Sequence, residues 1–162
     1  MLPESLNELP VPAALAAWDA DAVADGWRRL GEVTLVIAPE KIVAVSHYLK
    51  SQFKFRLNGI TGVDRYPMEP RFEVVYLLHS IDRNERLRLK VLLGGAQPEV
   101  DSVCEVWSGA NWYERETFDL FGIVFRNHPD LRRIMMPDNW DGHPLRKDFP
   151  VHGHKYSYQQ EG

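Results

Sequence analysis

Alternating apolar and polar residues mark three strands in the middle of the chain. The runs are FKFRL (53–57), FEVVYLL (72–78) and RLRLKVLL (86–93), with the turn DRNE (82–85) between the last two. Successive side chains of a strand point to opposite faces, so each run has one apolar face. The spacing predicts an antiparallel hairpin beside a third strand.

Apolar residues at helical spacing predict helices over residues 12–26, 39–52, 98–107 and 110–121. A short β-rich run, EVTLVIA (32–38), lies between the first two. Helices that cover the apolar face of a mainly antiparallel sheet form a two-layer α+β sandwich. This fold class is the expectation for the chain.

Three regions fall outside this regular pattern. Residues 1–11 are expected to form a loose N-terminal arm, and 59–70 a long connection or hairpin tip. The α+β domain is predicted over 12–126. Residues 127–162 are predicted to form an extended, irregular segment with a tail, called here the proline-rich segment.

The helix over 110–121 carries an unusual set of charges. Its expected core stripe consists of Tyr113, Thr117, Leu120 and Phe121. Glu116 lies at the edge of that stripe, and Arg115 and Asp119 lie four residues apart on another face. Arginine before an acid is the weaker order for a helical ion pair, so helix stability alone does not explain this one. The face is either solvated, or its charges meet the proline-rich segment or another chain.

The proline-rich segment begins with HPDLRRIMMPDNWDGHPLRKDFP (128–150). Its prolines fix φ and remove backbone donors, so we expect an extended and partly rigid course. The charges expected to form a polar network are Arg132, Arg133, Arg146, Asp130, Asp138, Asp141 and Asp148. Large apolar side chains, including Trp140 and Met135, are interleaved with them. Tryptophan, methionine and arginine are enriched at protein interfaces, so the pattern indicates docking to another polypeptide.

Composition excludes several kinds of chemistry. The formal charge of −4 argues against a dedicated nucleic-acid binder. Cys104 is the single cysteine, which rules out an internal disulfide and an iron–sulfur cluster held by this chain alone. The sequence has no GxGxxG or GxxxxGK[ST] motif for nucleotide binding. No apolar run approaches the roughly 18 residues that span a bilayer, so we expect membrane association only through a partner.

Two alternatives from other functional classes stay open at this point. The cationic strand positions are Lys54, Arg56, Arg86, Arg88 and Lys90, but the stacking aromatics of an RNA-binding sheet are missing among them. The histidines that could suggest a metalloenzyme are His128, His143, His152 and His154, at a spacing that fits no common metal motif. No serine or threonine lies in a nucleophile motif, and no catalytic residue is assigned.

The stretch WSGANWYERETFDLFGIVFRNHPDLRRIMMPDNWDGHPLRKDFP (107–150) closely resembles the signature of one protein family. That family is the 30-kDa subunit of respiratory complex I, known in bacteria as the C subunit of NADH–quinone oxidoreductase. The residues that match the signature, as internal-network or interface residues, are Glu114, Arg115, Glu116, Asp119, His128, Arg133, Trp140, Arg146, Lys147 and Asp148.

The resemblance implies a supporting subunit that binds no cofactor or metal. It would pack against the 49-kDa subunit and other peripheral-arm subunits in the quinone module, on the cytoplasmic side of the bacterial cell membrane. NADH, FMN, iron–sulfur clusters and quinone would be bound by other subunits of this proton-translocating complex. An equivalent subunit of a ferredoxin- or F420-dependent complex, or of a membrane-bound hydrogenase, is the near alternative.

Overall fold

A computed structural model describes residues 4–150, with the side chains from residue 6 onward. The helices are α1 (Glu4–Asn7), α2 (Pro10–Trp18), α3 (Ile42–Phe53) and α4 (Ala110–Phe121), with a 3-10 turn at Pro39–Lys41. The strands are β1 (Val23–Arg29), β2 (Glu32–Ile37), β3 (Arg56–Asp64), β4 (Phe72–Ser80), β5 (Glu85–Leu93), β6 (Glu99–Asp101) and β7 (Val124–Arg126). The expected α+β sandwich is confirmed.

The main sheet has the strand order β1-β2-β5-β4-β3, and all neighbours are antiparallel except β2 and β5. Leu35, Leu89, Tyr76 and Ile60 lie opposite one another across four strands and are all buried. Helix residues such as Leu49 join the same core cluster. Because side chains alternate, the other sheet face carries the polar positions; it is called here the outer face.

Helix α4 has the bounds that the sequence predicts, and it packs across β3. Gly122 ends it with φ 72°, and its N–H bonds to the Phe118 carbonyl at 2.8 Å. Glycine takes this left-handed conformation at little cost because it has no Cβ atom. Phe121 lies directly over Gly62, where a Cβ atom would come within 2.7 Å of its ring. This close approach fixes the position of α4 on the sheet.

The expected loose N-terminal arm is wrong from Glu4 onward. Helix α1 and the start of α2 occupy this stretch, and Leu6 and Val11 are fully buried. The predicted helix over 12–26 is also wrong beyond Trp18, because residues 23–29 pair with β2 as an edge strand. That strand lacks a clean alternation of apolar and polar residues, so only pairing with its neighbour reveals it.

Three further boundaries differ from the expectation. Phe53 ends α3 instead of beginning a strand, and Lys54 follows in the left-handed conformation at φ 59°. Strand β3 continues to Asp64, so half of the expected connection over 59–70 is regular structure. The expected helix over 98–107 is wrong, since β6 pairs there in parallel with β7.

No helix within residues 4–150 is long and apolar enough to cross a membrane. His152 and His154 lie outside the described residues.

Candidate functional site

The proline-rich segment, as far as residue 150, folds back over α4 and bonds to it. The Asp119 carboxylate, fully buried near the end of this helix, is the centre of the contact. Its Oδ2 accepts three backbone N–H groups in succession, from Ile134 at 3.0 Å, Met135 at 2.7 Å and Met136 at 2.8 Å. Its Oδ1 accepts from Arg133 Nη1 at 2.6 Å.

These bonds determine the charge state of Asp119. Burial by itself raises the pKa of the carboxyl group, but the N–H of Met136, the Arg133 guanidinium and the other two N–H groups outweigh burial. The pKa therefore lies below its ordinary value, and Asp119 is ionised at neutral pH. A buried carboxylate with four donors fixes the course of the segment.

Arg133 extends the contact within the segment itself. In addition to Asp119, its guanidinium donates to the carbonyls of Trp140 at 3.1 Å and Gly142 at 2.9 Å. One planar fork thus closes a loop in a stretch that has no regular secondary structure. The indole N–H of Trp140 is buried and has no hydrogen-bond partner among the described residues.

Arg115 binds the segment from the preceding turn of α4. Its Nε and Nη2 donate to the carbonyls of Arg132 at 3.2 Å and Arg133 at 3.3 Å. Its guanidinium also lies 5.1 Å from the ring centre of Trp112, whose side chain is 61% exposed. Arg115 and Asp119 are both buried, so the solvated-face interpretation is wrong for them. Glu116 is exposed.

Further along the segment, Arg146 is held at the end of α4. Its Nε donates to the Phe121 carbonyl at 2.6 Å, and its guanidinium lies 5.0 Å from the ring centre of Phe72. Burial and the nearby Arg71 lower the pKa of Arg146. The Nδ1–H of His143 donates to the Asp119 carbonyl at 2.9 Å, since a carbonyl can only accept.

A second cluster fixes the segment to the sheet, and the sequence interpretation missed two of its members. Arg71 donates bidentately to Asp64, at 2.9 and 2.8 Å, and again to Asp148, at 3.1 and 2.8 Å. Asp64 also accepts the backbone N–H of Lys147 at 2.8 Å, whereas the Lys147 side chain is exposed. The hydrogen bonds from Arg71 outweigh burial and hold the pKa of Asp64 well below its usual range.

Glu114 and His128 connect α4 to the start of the segment. The fully buried carboxylate accepts from the Ser102 hydroxyl at 2.6 Å, the Val103 N–H at 2.8 Å and the Cys104 thiol at 3.3 Å. Burial raises its pKa, although these donors oppose that effect. His128 Nε2 lies 3.9 Å from it.

The ligating atoms of Cys104, Glu114 and His128 lie within 4.8 Å of one another, so they are the group among the described residues that could surround a metal ion. Each of these groups instead takes part in hydrogen bonds within the protein. Burial raises the pKa of Cys104 to about 11, which keeps the thiol protonated. His128 Nδ1 accepts the Asp130 N–H at 3.0 Å, while Nε2 donates to the Asn111 carbonyl at 3.2 Å. The arrangement is that of a hydrogen-bonded cluster.

The remaining predicted network charges lie at the surface. Arg132 pairs with Asp130 at 2.9 Å, with both side chains more than half exposed. Asp138 and Asp141 are exposed. Exposed ion pairs of this kind contribute little to stability. Within residues 128–150, the buried contacts therefore come mainly from Arg133 and Arg146.

The chain was then compared with known proteins. A family model described as "Respiratory-chain NADH dehydrogenase, 30 Kd subunit" matches residues 35–155. The NADH-quinone oxidoreductase C subunit of Geotalea uraniireducens (strain Rf4) is 51% identical over 124 residues, which are 76% of each chain. The corresponding protein of Roseiflexus castenholzii (strain DSM 13941 / HLO8) is 45% identical over 150 residues, 91% of this chain and 86% of that one.

Two solved structures have a similar fold. The trypsin-resistant fragment (1-134) of Nqo5 is 35% identical with a TM-score of 0.57, over 64% of this chain and 86% of that one. A chain of the archaeal membrane-bound sulfane sulfur reductase, a respiratory membrane complex, has a TM-score of 0.72 at 23% identity, over 93% and 91%. A similar fold alone does not establish a family, but the sequence matches do. The chain belongs to the family of the 30-kDa subunit of respiratory-chain NADH dehydrogenase.

Proposed function

We propose that this chain is a non-catalytic subunit of a proton-translocating NADH–quinone oxidoreductase. It lies in the peripheral arm, in the quinone module against the 49-kDa subunit, on the cytoplasmic side of the bacterial cell membrane. NADH oxidation, electron transfer through iron–sulfur clusters and quinone reduction take place on other subunits. The family match and the relatives that belong to NADH-quinone oxidoreductases support this assignment.

One observation carries the proposal beyond family membership. Asp119, Arg133 and Arg146 use their hydrogen-bonding groups on the chain's own backbone, so the segment that bears the family signature has a defined course. Large apolar side chains nevertheless stay exposed around it, with Met135 at 62% and Leu145 at 51%. A rigidly held segment that presents apolar side chains is suited to docking on another protein.

This division of roles refines the expected docking segment. The α+β domain over 12–126 supplies the platform, and the proline-rich segment over 127–162 supplies the partner surface. The charges of the family signature then act indirectly, because they hold the backbone from which Met135 and Leu145 project. We propose no catalytic or cofactor-binding residue in this chain.

Purification of the native complex through a tag on this chain tests the proposal. We expect the 49-kDa subunit and the subunits that carry NADH and iron–sulfur clusters to co-purify. A complex with a ferredoxin- or F420-binding partner in place of the NADH module would favour the near alternative. The purified chain alone should show no NADH- or quinone-dependent turnover, and turnover by metal-free protein would contradict the proposal.

A further inference from the structure

We propose that one end of the outer sheet face is a second docking surface, which binds an acidic segment of a partner polypeptide. It is formed by Arg56 on β3, His79 on β4 and Arg86 on β5, called here the cationic row. This surface is separate from the proline-rich segment. The inference rests on the proposed function only in that the partner is another member of the same assembly.

The strand register places these side chains side by side. Arg56 lies opposite His79, and His79 lies opposite Arg86, so all three point to the outer face. Neighbouring strands lie about 4.8 Å apart, so the backbones of Arg56 and Arg86 flank His79 on either side at a separation of roughly 10 Å. Arg56 and Arg86 are exposed, and neither has an ion-pair partner among residues 6–150.

Other cations of the same face are neutralised within the chain. Arg88 pairs with Glu32 at 2.7 Å, and Lys90 pairs with Glu73 at 2.8 Å. Arg86 is only two residues before Arg88 on the same strand, yet it has no such partner in the described part of the chain. The row thus keeps its positive charge on a protein whose formal net charge is −4.

The surroundings of the row are typical of a protein interface. Leu77, on the outer face of β4, is 41% exposed, and Ile81, just past the end of that strand, is 58% exposed. A cavity of about 290 Å³ beside the row is lined by Leu77, His79, Arg86 and neighbouring residues. Exposed aliphatic side chains, guanidinium groups and a small cavity together can accept the side chains of another chain.

The composition of the row favours a polypeptide over a lipid surface. Membrane-binding patches commonly collect about four to eight lysines and arginines. Here two arginines flank one histidine on a pleated sheet. The planar guanidinium fork matches a carboxylate with two parallel hydrogen bonds, which suits aspartate or glutamate side chains.

The test uses the assembled complex purified with this chain in it. Arg56→Gln combined with Arg86→Gln should lower the salt concentration at which the chain dissociates, with an affinity for the rest of the complex about tenfold weaker or more. Lys90→Gln is the matched control, because Lys90 lies on the same strand outside this cavity and its charge is already neutralised by Glu73, and we expect no comparable change. Unfolding of each isolated variant checks that the fold is intact.

A photo-cross-linking amino acid at position 79 identifies the partner. We expect it to cross-link to a stretch of a neighbouring polypeptide that contains several Asp or Glu residues. Cross-links to lipid, or binding of the chain to phosphatidylglycerol vesicles that the double variant abolishes, would overturn the inference. Dissociation of the double variant at the same salt concentration as the wild type would also overturn it. None of these results affects the proposed function, which is tested separately by the partners that co-purify with the wild-type chain and by the turnover of the purified chain.

Discussion

Asp119 and Arg133 form a nearly solvent-excluded ion pair with 2.6 Å between Oδ1 and Nη1. It joins α4 to residues 128–150, which have no regular secondary structure. The same carboxylate also accepts three consecutive backbone N–H groups. The segment therefore depends on one side chain of the helix for its course over residues 133–136.

Asp119→Asn should be strongly destabilising. An amide has only one oxygen, so it cannot accept from the three N–H groups and from Arg133 at once, and the guanidinium loses its counter-charge. Breaking a buried pair from one side costs about 3–5 kcal/mol. We expect urea unfolding to show a loss of about this size in the free energy of unfolding.

The control for that substitution is Glu116→Gln, three residues earlier on the same helix. Glu116 is exposed, so its change should alter the free energy of unfolding by no more than about 0.5 kcal/mol. Equal losses in the two variants would contradict the role of Asp119.

Gly122→Ala should release the proline-rich segment from the end of α4. Gly122 has φ 72°, and an added Cβ would come within 2.5 Å of His143 Cδ2 and 2.7 Å of Arg146 Nη2. Both the backbone conformation and the packing therefore oppose the substitution. We expect a loss of about 2 kcal/mol or more in unfolding free energy, together with faster proteolysis within residues 127–150.

Gly31→Ala separates these two causes. Gly31 has φ 83°, but no atom lies within 4 Å of the added Cβ, so only the conformational cost of about 1 kcal/mol remains. In the Gly31→Ala variant, proteases should cleave within residues 127–150 at the wild-type rate. If both alanine variants behave alike, the contacts of Gly122 with His143 and Arg146 do not matter.

Elements with a clear local pattern were predicted well from the sequence, and elements that depend on distant partners were predicted poorly. The strands β4 and β5 and the helix α4 follow from local alternation and spacing, which residues 72–93 and 110–121 carry within themselves. Strand β1 is an edge strand with several charged residues. Its structure follows from pairing with β2, because its own sequence pattern does not indicate a strand.

The candidate site shows the same limit. Helical spacing identified Arg115 and Asp119 as a pair that helix stability did not explain, but it could not show which partner covers them. Asp64 and Arg71 are seven residues apart, but their contacts with Lys147 and Asp148 span 83 and 77 residues of sequence, and these long-range contacts were missed. A single sequence holds no local signal for such a contact; only the three-dimensional course of the segment brings it about.

Ionisation of Asp64 should make the free energy of unfolding depend on pH in the acidic range. Its pKa in the folded protein lies below the ordinary 3.8, mainly because of the hydrogen bonds from Arg71. Its ionised form therefore stabilises the fold above about pH 4, and this contribution is lost as the pH falls further. The difference in unfolding free energy between the wild type and Asp64→Asn should shrink between about pH 6 and about pH 2.5.

Glu114 provides a contrast of opposite sign. Burial raises the pKa of Glu114. Its contribution to the free energy of unfolding is therefore present at low pH and is lost as the pH rises through the pKa of the folded state. The stability of the wild type relative to Glu114→Gln should thus fall with rising pH. Parallel curves for the Asp64 and Glu114 variants would contradict both assignments.

Cys104 should react slowly with alkylating reagents. Burial raises its pKa from the ordinary 9.0 to about 11, which lowers the thiolate fraction at pH 8 about a hundredfold. Because the chain has one cysteine, mass spectrometry after iodoacetamide treatment reports this site alone. The urea-unfolded chain should be alkylated at the rate of a free cysteine peptide, and an equally fast reaction of the folded chain would contradict the burial of the thiol.

Arg146→Ala should reduce the amount of assembled peripheral arm without slowing the assembled enzyme. The guanidinium bonds to the Phe121 carbonyl and covers the Phe72 ring, so its loss leaves the segment around Leu145 without support on the domain. Under the proposed function this weakens docking, while the catalytic cofactors lie in other subunits. Arg132→Ala is the control, because Arg132 is exposed and, among the described residues, its side chain pairs with Asp130 alone. We expect quantitative blotting of native gels to show severalfold less complex for Arg146→Ala and wild-type amounts for Arg132→Ala, with equal turnover per complex. A normal amount of complex with slow quinone reduction would place Arg146 in the reaction and contradict a supporting role.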